Sequence, residues 1–383
     1  MSNNTAYEGF EEDGFFNRVE AKFSETFPDL SKSLNIAIVG KVSSGKSSLI
    51  NALLKLGRRK AMEIAKVGAV SGVTKDLTIL RLDDRVHLID SPGLDDIRAA
   101  NSKVTTDFLK HIDVGIFVVT GSSDASQAKN LRDLQANCDK VFVVLNKIDE
   151  WDDLGGDVLQ EIIQQWEQDL NIKPIYPVCT KGYDPRSKMP NLDIRGVSVL
   201  RNDLESFLET QGKDLLLARH VAEKQSYAVK IIATALVAVT GAVFFPGSAG
   251  IIAAAQGVAI ASLYYLHTGE ILSAQSALTI LTTTLAENAG SSLFLVIASF
   301  LPPTGVIEVV EAAIAITITL ALLSSIHYLL ADGSKLNLEK ELSAKFKTYR
   351  SQARKVVKDL ALTDVRELSS WITIVSKFLK DNK

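Results

Sequence analysis

The hydrophobic and polar positions of the first half of the chain divide it into short apolar runs separated by mixed stretches. The apolar runs have the length and β-branched content of buried strands and occupy 34–39, 77–82, 85–89, 114–119, 141–145 and 175–178. Helices are predicted between most of them, at 46–56, 101–111, 125–136 and 157–170. Strands that alternate with helices predict an α/β domain with a mostly parallel sheet, which we assign to 34–210.

One pair of runs departs from this alternation. The runs 77–82 and 85–89 are separated only by Asp83 and Asp84, a gap that fits a tight hairpin. The pattern therefore predicts one antiparallel edge strand in the otherwise parallel sheet.

The segment before the first strand, residues 1–33, carries an apolar helical face. Phe16, Val19, Phe23 and Phe27 recur at three- and four-residue steps, and Pro28 follows them. A helix that lies on a membrane surface usually has more Lys and Arg on its polar face. We therefore predict an arm that docks on the α/β domain or on the C-terminal half.

The second half of the chain is strongly apolar. Residues 231–334 contain no Lys or Arg, and apolar runs lie at 231–245, 251–266, 292–301 and 306–331. Prolines interrupt the runs and predict two helical hairpins with apolar tips within an all-α domain at 211–334. The last segment, 335–383, alternates basic residues with Leu338, Leu342 and Phe346 and predicts amphipathic helices.

These apolar helices raise the question of membrane insertion. A span needs about 20 apolar residues, and three of the four runs are shorter. The portion 312–330 comes closest to this length, and basic residues flank the whole region on both sides. The alternative is a soluble or partner-bound bundle whose buried helices are apolar all round. We favour membrane association through 231–331, because water-facing helices rarely lack Lys and Arg altogether.

Composition excludes some classes of function. The 383 residues carry a net charge of −3, which gives no argument for DNA binding and makes RNA binding an unfavoured alternative. The two cysteines, Cys138 and Cys179, lie far apart and fit a reducing cytoplasm. The N-terminus has no basic segment followed by an apolar core, so no signal peptide is predicted.

A phosphate-binding loop lies between the first strand and the first helix of the α/β domain. Its glycines let the backbone curl so that successive N–H groups face phosphate oxygens, and the following helix adds its positive end. Lys46 can reach the β- and γ-phosphates, and the Ser47 hydroxyl can bind Mg²⁺. The candidate phosphate-binding residues are Gly40, Lys41, Val42, Ser43, Ser44, Gly45, Lys46, Ser47 and Ser48.

Three further motifs follow later strands. In Asp90-Ser91-Pro92-Gly93, the carboxylate can hold the Mg²⁺ water shell and the Gly93 N–H can meet the γ-phosphate. In the motif Asn146-Lys147-Ile148-Asp149, the last carboxylate can accept the ring N–H and the exocyclic amine of guanine, two donors that adenine lacks. The remaining candidates, which follow the run 175–178 and would contact the guanine oxygen, are Cys179, Thr180 and Lys181.

Together these motifs resemble those of the TrmE/Era-like group of translation-factor-class GTPases. The stretch Ser71-Gly72-Val73-Thr74-Lys75-Asp76 is similar to the group's P-G-T-T-R-D and puts Thr74 in the place of the switch threonine. The resemblance implies GTP binding, Mg²⁺, and hydrolysis to GDP and phosphate, with switch loops near 57–76 and 91–103. It assigns Ser47, Thr74 and Asp90 to the metal, and Lys46, Thr74 and Gly93 to catalysis.

Two residues bear on the mechanism that this resemblance implies. Leu94 stands where Ras-like enzymes carry a water-orienting glutamine, so unaided hydrolysis is expected to be slow. A partner, a homodimer through the nucleotide face or a monovalent cation such as K⁺ would then complete the site. Ser43 is a candidate contact for that cation, and its alternative role is a local turn hydroxyl.

The C-terminal half resembles the YcjF-type domain of unknown function that follows Era-like GTPase domains in bacterial proteins. The matching pieces are Gln256, the pair Tyr264 and Tyr265, and Leu301-Pro302-x-x-Gly305 before an apolar helix. The resemblance implies a regulatory GTPase switch with a cytoplasmic GTPase domain at the bacterial inner membrane. The alternatives are a dynamin-like or immunity-related remodelling GTPase, which the phrase SSGKSSLINALL favours, a ribosome or RNA assembly GTPase, and a soluble cytoplasmic protein.

Overall fold

A computed structural model gives the structure of the protein. It describes residues 12–55, 78–91, 111–124, 127–182, 192–242, 249–289, 308–334, 339–358, 360 and 367–382. The chain forms two compact units, one at residues 29–223 and the other at residues 1–28 together with 224–383. The first helix, α1 (Glu12–Thr26), belongs to the second of these units.

The core of the 29–223 unit is a six-stranded sheet with the strand order β2-β3-β1-β4-β5-β6. Strand β2 pairs antiparallel with β3, and the other neighbours are parallel. Both faces are covered, since every residue of β1 and β4 is buried, which is why these strands read as continuous apolar runs. The strands are β1 (Leu34–Val39), β2 (Thr78–Arg81), β3 (Val86–Ser91), β4 (Ile112–Val119), β5 (Cys138–Leu145) and β6 (Ile175–Pro177).

Five helices and a separate strand pair complete this unit in the described residues. The fully buried Trp166 anchors one face of the sheet, and its indole donates to the Gly121 carbonyl. The helices are α2 (Lys46–Leu53), α3 (Ala128–Gln135), α4 (Gly156–Leu170), α5 (Val197–Thr210) and α6 (Asp214–Ala218). Strands β7 (Cys179–Lys181) and β8 (Asp193–Arg195) form an antiparallel pair, and a 3₁₀ turn occupies Ile148–Trp151.

The fold class that the sequence predicts for this unit is confirmed, with two local differences. The β2–β3 hairpin has a four-residue loop, 82–85, because the Asp83 carboxylate accepts the N–H groups of Arg85 and Val86. The unit continues to Glu223, beyond the predicted end at 210, because residues after α6 are bonded to α2 and to this hairpin. The predicted helix 101–111 lies largely outside the described residues.

The second unit is helical, as predicted. After α1 it contains α7 (Gln225–Ala242), α8 (Ala249–Thr268), α9 (Ala274–Ala289), α10 (Glu308–Ala331), α11 (Glu339–Lys358) and α12 (Leu368–Asp381). The predicted arm packs on α8 and α9, with Val19 and Phe23 buried. Helix α9 was not predicted, because Thr, Ser and Gln residues interrupt its apolar pattern.

Helix α10 lies at the centre of the helical unit. It packs against α7, α8 and α11, and most of its residues are buried. Three helices are long and apolar enough to cross a membrane by length and composition, namely α7, most of α8 and 312–331 of α10. The predicted run 292–301 and both hairpin tips lie outside the described residues.

Candidate functional site

The predicted motifs meet at the carboxyl ends of the parallel strands, where ligands of open α/β sheets bind. The loop 40–45 follows β1, Asp90 lies near the end of β3, and Asn146 directly follows β5. Strand β7 begins two residues after β6 and brings Cys179, Thr180 and Lys181 to the same edge. Thr74 and Gly93, the other two predicted site residues, lie outside the described residues.

The phosphate-binding loop is held in a backbone conformation that needs glycine at position 45. Gly45 has φ +86°, and a Cβ built there would lie 2.3 Å from the Asn146 side-chain nitrogen. The first bond of helix α2 runs from the Leu49 N–H to the Gly45 carbonyl at 2.9 Å. The N-terminal N–H groups of α2 therefore face the space inside the loop, as an anion site requires.

Lys46 is the central cation of the loop. Its ammonium donates to the carbonyls of Gly40 at 2.9 Å and Lys41 at 3.1 Å and lies 3.6 Å from the Asp90 carboxylate. The side chain is buried, so these contacts fix it within the loop. A buried ammonium with this anchorage is strongly attractive to a phosphate group.

Ser47 and Asp90 form a pair of oxygen donors beside this lysine. The Ser47 hydroxyl donates to Asp90 Oδ2 at 2.6 Å. Burial raises the pKa of Asp90, and the bonds from Ser47 and Lys46 oppose the shift. A hydroxyl and a carboxylate are the ligand types that Mg²⁺ prefers, so the two residues fit this ion.

Asn146 joins the base motif to the phosphate loop. Its side-chain nitrogen donates to the Ser44 carbonyl at 2.9 Å, and its oxygen accepts the Thr180 hydroxyl at 3.2 Å. Its backbone N–H donates to the Val119 carbonyl at the end of β4. Asn146 is fully buried and uses both ends of its amide, so it fixes three loops with respect to one another.

Asp149 is held in place by two residues of β7. Lys181 Nζ lies 2.9 Å from Asp149 Oδ2, and the Cys179 thiol donates to Oδ1 at 3.4 Å. Burial pushes the pKa of Asp149 upward, but the bonds from Lys181 and Cys179 outweigh this effect and lower the pKa overall. Burial raises the pKa of the Cys179 thiol to about 11, so the group stays a protonated donor. The carboxylate at 149 is therefore an ionised acceptor at neutral pH.

The remaining predicted residues line the edges of the site. Lys147 adopts a left-handed conformation with φ +65° at the start of the 3₁₀ turn. Lys41 extends outward and pairs with Asp124 at 2.5 Å, whereas Val42 is 67% exposed. Sequence reasoning missed Asp124, Asp152 and Arg195, which belong to no motif and enter the picture only through their ion pairs.

A second cluster of possible metal ligands lies at the amino ends of the strands. His111, Asp113 and Asp139 bring one ligand atom each within 4.8 Å of the others. However, the buried Lys213 ammonium lies 2.5 Å from the same Asp113 oxygen that faces His111, and the Asn35 N–H donates to the other oxygen at 2.8 Å. These contacts satisfy Asp113 without a metal, so the cluster serves to tie α6 to the sheet.

Comparison with known proteins matches the same part of the chain. The family described as 50S ribosome-binding GTPase matches residues 35–147. Guanine nucleotide-binding protein-like NSN1 of Arabidopsis thaliana is 41% identical over 66 residues, which cover 17% of this chain and 10% of that protein. The tRNA modification GTPase MnmE of Alkaliphilus metalliredigens is 31% identical over 223 residues, which cover 55% of this chain and 42% of that protein.

Among solved structures, translation elongation factor SelB from Methanococcus maripaludis aligns with a TM-score of 0.30 and 21% identity, over 46% of this chain and 34% of that one. The chain spans between 10% and 38% of the length of the first curated relatives that it matches. The resemblance of the C-terminal half to YcjF-type domains stays a prediction. The sheet order, the phosphate-binding loop and the matched sequence family together show that this chain contains a P-loop GTPase domain.

Proposed function

We propose that the whole chain is a GTP-hydrolysing regulatory switch whose nucleotide state is passed to a membrane-associated helical unit. The observation that carries the switch is the continuous contact from Lys46 through Asn146 to Asp149, which joins a phosphate site to a guanine-specific acceptor. In this proposal Asp149 selects guanine, Lys147 lies along the base, and Thr180 and Lys181 border it.

GTPases of this kind generally use Mg²⁺, and Ser47 and Asp90 would hold it here. The ion would supply charge neutralisation on the phosphates, while Lys46 and the backbone N–H groups of the loop orient them. Thr74 and Gly93 would contact the γ-phosphate from the two switch segments. Because Leu94 cannot orient water, hydrolysis by the isolated protein is slow and is completed by a partner, by self-association or by a monovalent cation.

The link between the GTPase domain and the helical unit is the segment 214–223, which is bonded to elements that border the proposed switches. The Ala222 N–H donates to the Leu54 carbonyl at 3.0 Å, and Lys55 pairs with Glu223 at 2.9 Å. Arg219 and His220 contact the Asp83 carboxylate at 2.9 and 3.0 Å. Leu54 and Lys55 immediately precede the proposed first switch, and the hairpin at Asp83 separates the two switches in sequence.

We expect Ala222→Pro to uncouple the helical unit from the nucleotide without preventing nucleotide binding. Proline removes the N–H that bonds Leu54, so the segment loses its backbone contact with the end of α2. In the natural chain, hydrogen exchange at the start of α7 should differ between the GDP and GTP-analogue states. In the variant this difference should disappear while GDP affinity stays within about twofold.

Ala222→Ser is the matched control, because serine keeps the N–H and is expected to keep the difference in exchange. An unchanged difference in the proline variant would show that the signal does not pass through this segment.

The proposed membrane association rests on the composition of the helical unit. Residues 231–334 carry no Lys or Arg, and α7 and α8 leave a larger share of their apolar surface outside the bundle than α10 does. Ile251 on α8 is 43% exposed. The burial of α10 supports the alternative of a soluble bundle, because it explains the apolar sequence of that helix without lipid.

We expect the full chain to sediment with membranes in a detergent-free lysate and to be released by detergent but not by high salt. Apolar contact with acyl chains is insensitive to salt, whereas binding through surface charges is screened. A 29–223 fragment, which has its own buried core, should stay in the supernatant. Recovery of the full chain as a soluble monomer would remove the membrane part of the proposal.

A ribosome or RNA assembly role is a second candidate, favoured by the description of the family that matches residues 35–147. That match lies within the nucleotide-binding unit, and the helical unit offers no cations over 231–334 for contact with phosphate groups of RNA. The membrane-remodelling alternative would use the same apolar helices, and no contact among the described residues favours it over a switch.

A further inference from the structure

The guanine-reading part of the site depends on two loops that come from different strands. Asp149 lies in the 3₁₀ turn after β5, whereas Cys179 and Lys181 lie on β7 after β6. Lys181 is 44% exposed along its side chain, so its ion pair with Asp149 is weak as a positional restraint. Another contact is therefore needed to hold the turn and β7 at a fixed separation.

Arg195 on β8 provides such a contact. Its Nη1 and Nη2 atoms donate to the two oxygens of Asp152 at 2.9 and 2.7 Å, a two-pronged pair. Its Nε and Nη2 atoms also donate to the two oxygens of Asp193 at 2.9 Å each. One planar guanidinium thus holds two carboxylates, which a lysine ammonium has no geometry to do.

These bonds close a ring around the base-reading carboxylate. Asp152 ends the 3₁₀ turn that contains Asp149. On the other side, β8 pairs with β7 so that Arg195 lies opposite Cys179 and Asp193 lies opposite Lys181. The ring runs from Asp149 through its turn to Asp152, across Arg195 to β8, and back through β7 to Asp149.

The backbone after Arg195 is seated against the end of β6. Gly196 has φ +73°, and a Cβ there would lie 1.9 Å from the Pro177 carbonyl oxygen. This close approach leaves no freedom for β8 to slide along β6, so the guanidinium starts from a fixed base. Hydrogen bonds from Arg195 lower the pKa of Asp152, so this carboxylate is ionised when the pair forms.

We infer that Arg195 is a positioning residue for guanine specificity, acting by fixing the Asp149 turn against β7. This inference rests on the proposed reading of guanine by Asp149. Inosine nucleotides lack the exocyclic amine and forfeit one of the two bonds to that carboxylate, so the ratio of GDP to IDP affinity measures how well Asp149 is aimed. A general loss of stability would lower both affinities alike.

We expect Arg195→Ala to lower GDP affinity about tenfold and IDP affinity about twofold, so that the ratio falls about fivefold. Arg195→Lys should lower the ratio nearly as much, because it restores the charge without the fork. Lys173→Ala is the matched control, since it breaks an exposed ion pair with Glu167 in the same unit and should leave the ratio unchanged. Affinities are measured by titration of the full chain with fluorescent GDP and IDP in the presence of Mg²⁺.

The outcomes separate this inference from the proposed function. An unchanged ratio in Arg195→Ala, together with a collapsed ratio in Asp149→Asn, would overturn the role of Arg195 alone. An unchanged ratio in both variants would overturn guanine reading by Asp149 itself. If Arg195→Ala does not fold, Asp152→Asn keeps the side-chain shape and removes the ionic partner, and an unchanged ratio there would equally overturn the inference.

Discussion

Lys46→Ala should weaken GTP and GDP binding by at least about 100-fold, which corresponds to roughly 2.7 kcal/mol. The Lys46 ammonium is buried in the phosphate loop and is the group placed to neutralise the phosphates there. Its loss leaves the carbonyls of Gly40 and Lys41 pointing into the loop without their donor. The measurement is equilibrium titration with a fluorescent guanine nucleotide, with folding followed by circular dichroism.

The control for this variant is Lys140→Ala. Lys140 is exposed on the early part of β5, so the substitution removes the same charge from the domain while the loop keeps its lysine. Affinity close to that of the natural chain is expected for the control. If Lys46→Ala bound guanine nucleotides as tightly as the control, the assignment of the phosphate loop would be wrong.

Asp149→Asn should shift nucleotide preference from guanine to xanthine by several orders of magnitude in the affinity ratio. A carboxylate accepts the ring N–H and the exocyclic amine of guanine. Xanthine carries an oxygen in place of the amine, which a carboxylate repels and an amide N–H₂ can bind. The low pKa of Asp149 means that the natural chain presents an ionised acceptor throughout the neutral range.

Competition of GDP, xanthosine diphosphate and ADP for a labelled nucleotide measures this shift. Asp153→Asn is the matched control, because Asp153 is exposed four residues further along the same loop. Unchanged GDP affinity in Asp149→Asn would mean that another residue reads the base. A loss of all nucleotide binding, without any gain for xanthine, would indicate that the amide introduced at position 149 no longer pairs with Lys181 and that the loop has moved.

Much of the GTPase domain was predictable because its parallel strands are buried on both faces. Continuous apolar runs such as Leu34–Val39 have few other interpretations, and each predicted motif follows the end of such a run. Local glycine chemistry placed the phosphate loop, and the short gap at Asp83 placed the antiparallel edge. These features depend on residues close together in sequence.

The parts that escaped prediction depend on contacts between distant residues. Strand β8 is three residues long and gains its identity only by pairing with β7, so no periodicity marks it. The Arg195 and Asp152 pair joins residues 43 positions apart, and the bonds of Ala222 and Glu223 reach back to α2. Helix α10 was predicted as the best candidate for a span, and its burial among other helices provides an equally good reason for its composition.

The close approach between Gly45 and Asn146 has a consequence for how these proteins diverge. A Cβ at position 45 would lie 2.3 Å from the Asn146 amide nitrogen, so neither site has room to accept a larger residue while the other stays as it is. Substitutions at the two positions are therefore not independent, and their effects on fitness should depend on each other. Drift in one motif is constrained by the other, which keeps the two halves of the pocket evolving as a single heritable unit.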